Sequence, residues 1–330
     1  MIDSPSVPLG TEGFLFGVRD MITEPMDVLK HYEVRKSRKQ KQLFREAAQD
    51  YFENLGYQVS VEKGRLGAQN LVIGNAEQAK YLITAHYDTC AGMPFPNLIT
   101  PKSFWGFLGY QLLSTFLLMI PAILAYWVAF AISGSSWIAF LCAYPLLIAV
   151  LVILMVGPAN PHTANDNTSG VVAVLQLAKM LSEDPGKKFA FVLFDLEESG
   201  LVGSASYRRK HKVATSNQMI LNLDCIGEGD ELWLFPGGRV RKDPERMLLL
   251  QSLAGQVGDK SIHIHEKGFS VYPSDQGNFP YGVGICALKK TRKGLLYMNK
   301  IHTRHDTVLD SENVNLLCQR LAGLVGEAVQ

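Results

Sequence analysis

No Asp, Glu, Lys or Arg occurs between Lys102 and Asp166. An uncharged stretch of about sixty residues does not belong to an ordinary water-facing domain. Over the whole chain neither sign of charge prevails: Lys+Arg number 32 and Asp+Glu 31, a formal net charge of +1. That balance leaves no global electrostatic case for a nucleic-acid partner. A C-x-x-C pair is also missing. The five cysteines, Cys90, Cys142, Cys225, Cys286 and Cys318, are odd in number and widely scattered. They argue against a disulfide framework or a zinc ribbon; most suit ordinary buried thiols, with the polar part of the chain in a reducing compartment. The first twenty residues carry neither the basic start nor the apolar core of a secretory signal. No internal repeat or low-complexity tract stands out. With 47% hydrophobic and 19% charged residues among 330, the chain is too apolar for disorder and too charged to consist mainly of membrane spans. Its length suits one large domain or two small ones.

The uncharged segment divides at Ser133-Gly134-Ser135-Ser136 into two apolar runs, Trp105 to Ile132 and Trp137 to Val156. As helices they would measure about 42 and 30 Å, enough to cross a hydrocarbon core of about 30 Å. Trp105, Trp127 and Trp137 lie near their ends, where aromatic belts form, and Pro121 and Pro145 are tolerated in spans. The alternative is a buried helical pair or a hydrophobic lid, but core helices seldom run apolar on all faces for this long. A hairpin returns the chain to the side it left, so both polar portions share one face of the bilayer. The far loop is uncharged, while the near side carries all the Lys and Arg, including 35–39, 208–210 and 289–293. This favours a cytoplasmic polar portion. Each basic run reads first as a solvated helix end or loop and second as a lipid-contacting patch. Gly109, Ala125 and Ala129 would permit packing between chains, and so a homo-oligomer.

Around the hairpin the pattern alternates. Gln40 to Leu55 reads as an amphipathic helix with Leu43, Phe44, Ala47, Tyr51 and Leu55 on one stripe, ended by Gly56. Strand-like runs follow at 57–61, 70–73 and 81–85. Beyond the hairpin come a helix over 170–181, a continuous apolar strand over 189–194, a helix over 204–211 and a strand over 219–223. A helix over 244–257, a strand over 283–288 and a helix over 314–329 complete the reading. Such alternation predicts a mixed, largely parallel α/β sheet flanked by helices. One domain, residues 1–102 and 160–330, is then interrupted by a hairpin over 103–159.

Acidic and imidazole residues concentrate where apolar strands end: His86-Tyr87-Asp88, Asn165-Asp166-Asn167 before a helix, Asp195-Leu196-Glu197-Glu198, Leu223-Asp224, and His302-Thr303-Arg304-His305-Asp306. Ligands of α/β sheets bind at the carboxyl ends of strands, so these loops can converge. Two imidazoles and three carboxylates suit a pair of cations, zinc above all. Asp88 is a candidate to anchor the second ring nitrogen of His86. Of the adjacent Glu197 and Glu198, one can bind metal while the other takes a proton from water. Singly each piece is weak, since a lone Asp before a helix is most often an N-cap.

Together the motifs resemble the co-catalytic di-zinc aminopeptidase family, which includes bacterial leucyl aminopeptidase and glutamate carboxypeptidase. They are His-x-Asp (86–88), Asp-Asn-x-Ser-Gly (166–170), Glu-Glu-x-Gly-Leu-x-Gly-Ser (197–204), Asn-Leu-Asp-x-Ile-Gly (222–227), Ser-Asp-x-x-x-Phe (274–279) and His-Thr-x-x-Asp-Thr (302–307). The similarity runs from about Gln40 to the carboxyl terminus, hairpin excepted. It implies two Zn2+ per chain, with His86 and Asp224 on one, Glu198 and His302 on the other, and Asp166 bridging. It further implies Glu197 as general base, a cis peptide after Asp166, and a peptide substrate hydrolysed by water activated between two cations. Three departures stand out. The family's Ser-Asp-His is here Ser274-Asp275-Gln276. Tyr272 lies one position away from where some members carry an oxyanion tyrosine, which makes it a weak substrate-binding candidate. Relatives generally have a short loop where the hairpin stands. The reading is therefore a membrane-anchored aminopeptidase. The alternatives are a glutaminyl cyclase with one zinc, disfavoured by the five-ligand set, and a non-catalytic membrane receptor on a peptidase fold, disfavoured because no ligand is lost.

Overall fold

The computed structural model describes residues 20–182 and 188–324. The stretch read for a signal, Asp20 apart, and the last residues of the helix expected over 314–329, from 325 on, lie outside the described residues. The helices are α1 (Asp27–His31), α2 (Arg38–Asn54), α3 (Phe104–Ser133), α4 (Ser136–Val156), α5 (Gly170–Met180), α6 (Val202–Lys210), α7 (Pro244–Leu253) and α8 (Ser311–Gly323). The strands are β1 (Val59–Lys63), β2 (Gln69–Ile73), β3 (Tyr81–His86), β4 (Phe189–Phe194), β5 (Met219–Leu223), β6 (Glu231–Pro236), β7 (Gly255–Val257), β8 (Lys260–Ile264), β9 (Gly282–Lys290) and β10 (Leu296–Tyr297).

The strands form one sheet in the order β1-β2-β4-β3-β5-β9-β6-β8-β7, with β10 beside β9. At its centre β4, β3, β5 and β9 run parallel; the flanking β2–β4 and β9–β6 pairs and the edge pairs β1–β2 and β7–β8 are antiparallel, while β6 and β8 run parallel. The expected mixed α/β sheet is borne out. Central strands are covered on both faces, which is why β3 and β4 are apolar and buried at nearly every position. β3 precedes the hairpin and β4 follows it, yet they pair from Tyr81↔Phe189 to His86↔Phe194. The sheet is thus completed across the insertion. The main core joins α2, α5 and α8 to one face through residues such as Phe44, Phe52, Phe191, Leu175 and Leu317. α2 starts on a reciprocal cap in which Ser37 Oγ accepts from Gln40 N and Gln40 Oε1 accepts from Ser37 N.

Two sequence expectations need correction. The helix expected over 244–257 ends at Leu253, and Gly255–Val257 form β7 against β8. Gly255 has φ +139°, which a helix cannot contain. Arg35, read as part of a solvated basic run, is fully buried. Its guanidinium donates to the carbonyls of Tyr87 (2.6 Å), Tyr32 and Glu33 and to Thr168 Oγ1, tying the start of the domain to the His86 loop. Burial lowers its pKa to about 10.

The expected apolar pair is present as α3 and α4, each long and apolar enough to cross a membrane. Their side chains point outward rather than into a core: Trp105, Ile132, Trp137 and Val156 are each more than 70% exposed. Where the hairpin meets the sheet domain it is fastened on both sides. Lys102 Nζ sits 3.5 Å above the Trp233 ring, and Phe104 packs edge-on against Phe269. On the return side Lys36 Nζ donates to the Met155 carbonyl (2.8 Å), one of the last carbonyls of α4, where the helix dipole favours a cation.

Candidate metal centre

Three parallel strands deliver the site. β3 ends on His86, β4 leads into Asp195 and the Glu197-Glu198 turn, and β5 leads into Asp224. A fourth contribution is Asp166, on the turn opening α5, and a fifth is His302, on the loop before α8. Two close approaches explain the glycines of these motifs. A Cβ on Gly170 would lie 2.3 Å from the Leu223 carbonyl oxygen, and one on Gly203 would lie 2.0 Å from that of Asp195. Only glycine lets the two helices start this close to the strand ends.

Asp166 lies between the imidazoles. Its Oδ1 is 3.3 Å from His86 Nε2, and its Oδ2 is 3.0 Å from His302 Nε2. Asp224 Oδ1 is 3.6 Å from His86 Nε2, and Glu198 Oε2 is 3.3 Å from His302 Nε2. The five predicted ligands therefore come together in two sets that share Asp166. Asp224 Oδ1 and Glu198 Oε1 are shut off from solvent without a hydrogen-bond partner. Buried acceptors left in that state are costly, and a cation coordinated there would satisfy them. Nitrogen and carboxylate donors in these numbers suit zinc. Donors of His86, Glu197 and Glu198 also lie within 4.8 Å of one another, so Glu197 adjoins both sets.

The charges press on each other accordingly. Burial opposes the positive charge on both imidazoles, yet the surrounding carboxylates win. Glu197, Asp166, Asp224 and Asp88 hold His86 well above its usual pKa, and Glu198 and Asp166 raise His302 to about 9. Burial, offset by His302, pushes the Glu198 carboxyl up to about 7. Glu197 is held well above the usual carboxyl range, first by burial and then by Glu198, Asp275 and Asp224. For Asp166, burial is outweighed by the two imidazoles, and its pKa falls below the usual value.

Asp88 behaves differently from expectation. His86 Nδ1 is 3.0 Å from the Asp88 main-chain carbonyl but 3.7 Å from its carboxylate. That carboxylate instead accepts from the main-chain N–H groups of Glu197 (3.0 Å) and Glu198 (3.2 Å), fixing the turn that carries both glutamates. Tyr272 donates its hydroxyl proton to the Asp224 carbonyl (2.9 Å) and stacks on Phe235. In place of the family's histidine, Gln276 accepts from Asn222 Nδ2 and donates to the Tyr272 carbonyl, which locks β5 to the turn before β9. The expected cis peptide joins Asp166 and Asn167.

Several contributors escaped the sequence reading. Asp306 accepts from the N–H groups of Asn165 (2.9 Å) and Asp166 (3.0 Å), and Asn165 Oδ1 accepts from Gly227 and Glu228. The position of Asp306 inside the His-Thr-x-x-Asp motif, and of Asn165 immediately before the Asp-Asn motif, was the available signal. Cys90, buried two residues beyond Asp88, has its sulfur within 4.8 Å of donors of Glu198 and His302. Nothing in its spacing marked it.

The sequence profile of peptidase family M28 matches residues 151–319. The chain belongs to this family. The resemblance read from the motifs is thereby borne out at the level of the family. Aminopeptidase YwaD of Bacillus subtilis is 28% identical over 144 residues, 38% of this chain, and the match spans 30% of that relative's length. A solved leucine aminopeptidase precursor from Bacteroides thetaiotaomicron is 13% identical with a TM-score of 0.57, over 94% of this chain and 99% of the other. The Porphyromonas gingivalis glutaminyl cyclase is 16% identical with a TM-score of 0.57, over 93% and 98%. These likenesses are of fold. Since the two scores are equal, the fold does not choose between hydrolysis and cyclisation, and that choice rests on the site.

Proposed function

We propose that the protein is a membrane-anchored, zinc-dependent aminopeptidase of the M28 family, with its peptidase domain built from residues 1–102 and 160–330 and anchored by the hairpin over 103–159. The observation that carries this reading is the pair of donor sets sharing Asp166, with Glu197 alongside and all five ligands present. His86 and Asp224 would hold one zinc, Glu198 and His302 the other, and Asp166 both. Zinc bound there supplies Lewis acidity, which lowers the pKa of water and polarises a carbonyl. Glu197 accepts the proton of the attacking water as the C–O bond forms and delivers it to the departing amine nitrogen as the C–N bond breaks. Asp88 holds the Glu197 main chain in place for both transfers. Tyr272, its hydroxyl engaged by the Asp224 carbonyl, supports the ligand loop and is the candidate to contact substrate. Five ligands in two sets favour two zincs and hydrolysis over a one-zinc cyclase. The uncharged far loop and the basic near side support a cytoplasmic peptidase domain.

The test is a panel of peptides given to full-length protein in neutral detergent. Peptides with a free α-amine should lose their first residue, N-acetylated ones should remain intact, and metal analysis should return two zincs per chain. Equal cleavage of blocked peptides, or turnover by metal-free protein, would overturn the reading. Chelation should also lower the melting temperature, because the donor carboxylates are left facing one another. At free zinc 1,000-fold above its Kd, binding stabilises by about 4 kcal/mol. A melting temperature indifferent to chelator would count against a resident metal.

A further inference from the structure

A cavity of about 960 Å³ opens between the hairpin and the sheet domain. One side is apolar, with Leu118 from α3 and Ile153 and Leu154 from α4. The other carries Lys300, Arg304 and His305, from the loop that also holds His302. Its height along the hairpin is fixed by residue counting. Leu118 lies 15 residues before the end of α3, and Leu151 lies 15 residues after the start of α4, so the two face each other. Ile153 and Leu154 sit just below, in the last turn of α4. By the same reckoning the first nine residues of α3 run past the end of α4, roughly 13 Å further towards the sheet domain. There Tyr110 donates to the carbonyl of Pro96, another residue of the cavity wall. The cavity thus lies where α4 leaves its apolar stretch, with hydrocarbon-like walls above and cations below.

The cations are not equivalent. Lys300 is paired with the Glu228 carboxylate, which it shares with Lys289, so that cluster keeps one positive charge in excess but its ammonium groups are already engaged. Arg304 is exposed and makes no hydrogen bond or ion pair with any described residue, and the His305 side chain is exposed beside it. A guanidinium on the cavity wall with no partner among the described residues can recognise phosphate oxygens, and apolar walls of this size accept an acyl chain. We infer that the cavity binds an anionic phospholipid drawn from the bilayer, its phosphate on Arg304 and one chain against Leu118, Ile153 and Leu154. The inference rests on the hairpin lying in a membrane. A lipid seated there would brace the 299–307 loop, and with it His302, so the bilayer would become part of the support of the metal centre.

The test reconstitutes full-length protein with a photo-crosslinkable phosphatidylglycerol in nanodiscs of phosphatidylcholine, and maps the adducts by peptide analysis. Adducts are expected in segments 92–96, 150–154 and 299–307. Native mass spectrometry of the detergent-extracted protein should show phosphatidylglycerol retained in preference to phosphatidylcholine. Arg304→Gln, an exposed substitution that leaves the fold intact, should lower that retention roughly fivefold, the worth of one cation near an anionic surface. Three results would overturn the proposal: equal retention of both lipids, adducts confined to the outer faces of residues 105–147, or competition by inorganic phosphate alone as effective as lipid. Displacement of the lipid in step with a competitive peptide inhibitor would assign the cavity to substrate and overturn it as well. Carbonate extraction separates the two layers of the argument. A chain released from membranes without detergent refutes the anchor itself, whereas a retained chain that ignores phosphatidylglycerol refutes the lipid site alone.

Discussion

Glu197→Gln is expected to cut kcat by about 10²–10⁴-fold, the usual worth of a general base, while leaving zinc content and KM close to wild type. Gln keeps the size and hydrogen-bonding reach of Glu but cannot take up a proton. The main-chain N–H of residue 197 still donates to Asp88, so the turn keeps its shape. The five proposed ligands are untouched, and metal should stay. The neighbouring substitution discriminates. Glu198→Gln weakens a donor set in which Glu198 Oε2 and His302 Nε2 are 3.3 Å apart, so it should lose metal together with activity. Kinetics and metal analysis on both variants settle which glutamate does which. A Glu197→Gln enzyme at full rate, or one whose only defect is lost zinc, would remove Glu197 from the proton path.

Much of this arrangement was legible because it depends on local sequence. Strand β4 is a continuous apolar run and β3 a mostly apolar one, and the hairpin announces itself by having no charge. Except for His302, which stands on a loop, the proposed ligands lie at or shortly after a strand end or on the turn before a helix, so knowing where β3, β4 and β5 end nearly locates His86, Glu198 and Asp224. What escaped depends on partners distant in sequence. Asp88 follows His86 by two residues, which suggests a bond to its ring. Its carboxylate instead finds two backbone N–H groups more than a hundred positions away, because β3 and β4 are parallel neighbours and their following loops meet. Arg35 lies in a run of basic residues that looks solvated, and only the closed fold surrounds it with carbonyls. Strand β7 was hidden because its three residues continue an apparently helical stretch. A local pattern does not reveal that Gly255 turns the chain back beside β8.

Lys41→Met should destabilise the domain by about 3–5 kcal/mol. Lys41 projects from α2, and its Nζ lies 2.6 Å from Asp195 Oδ1, with the two side chains only 9% and 2% exposed. The same carboxylate accepts from the N–H groups of Gln69 (3.0 Å) and Leu196 (3.0 Å), so it ties α2, β2 and the start of the Glu197 turn together. Burial already pushes the Asp195 carboxyl above its usual pKa, against the pull of Lys41. Without the ammonium that rise must grow, and the variant pays for a buried, uncompensated anion. The pH dependence then has a definite sign. A carboxyl with a raised folded pKa binds its proton more readily in the folded than in the unfolded chain. The variant should therefore regain stability as pH falls through the folded pKa of Asp195, with the recovery complete below the unfolded value near 3.9. Adding Asp195→Asn removes the charge itself, so the double variant should be more stable at neutral pH than Lys41→Met alone, a non-additivity expected of residues in direct contact. Thermal unfolding of wild type, Lys41→Met, Asp195→Asn and the double variant between pH 5 and 8 reads the direction of the pH dependence and the non-additivity. A Lys41→Met protein as stable as wild type, or one that weakens further as pH falls within that range, would show that the pair does not hold the Glu197 turn to α2.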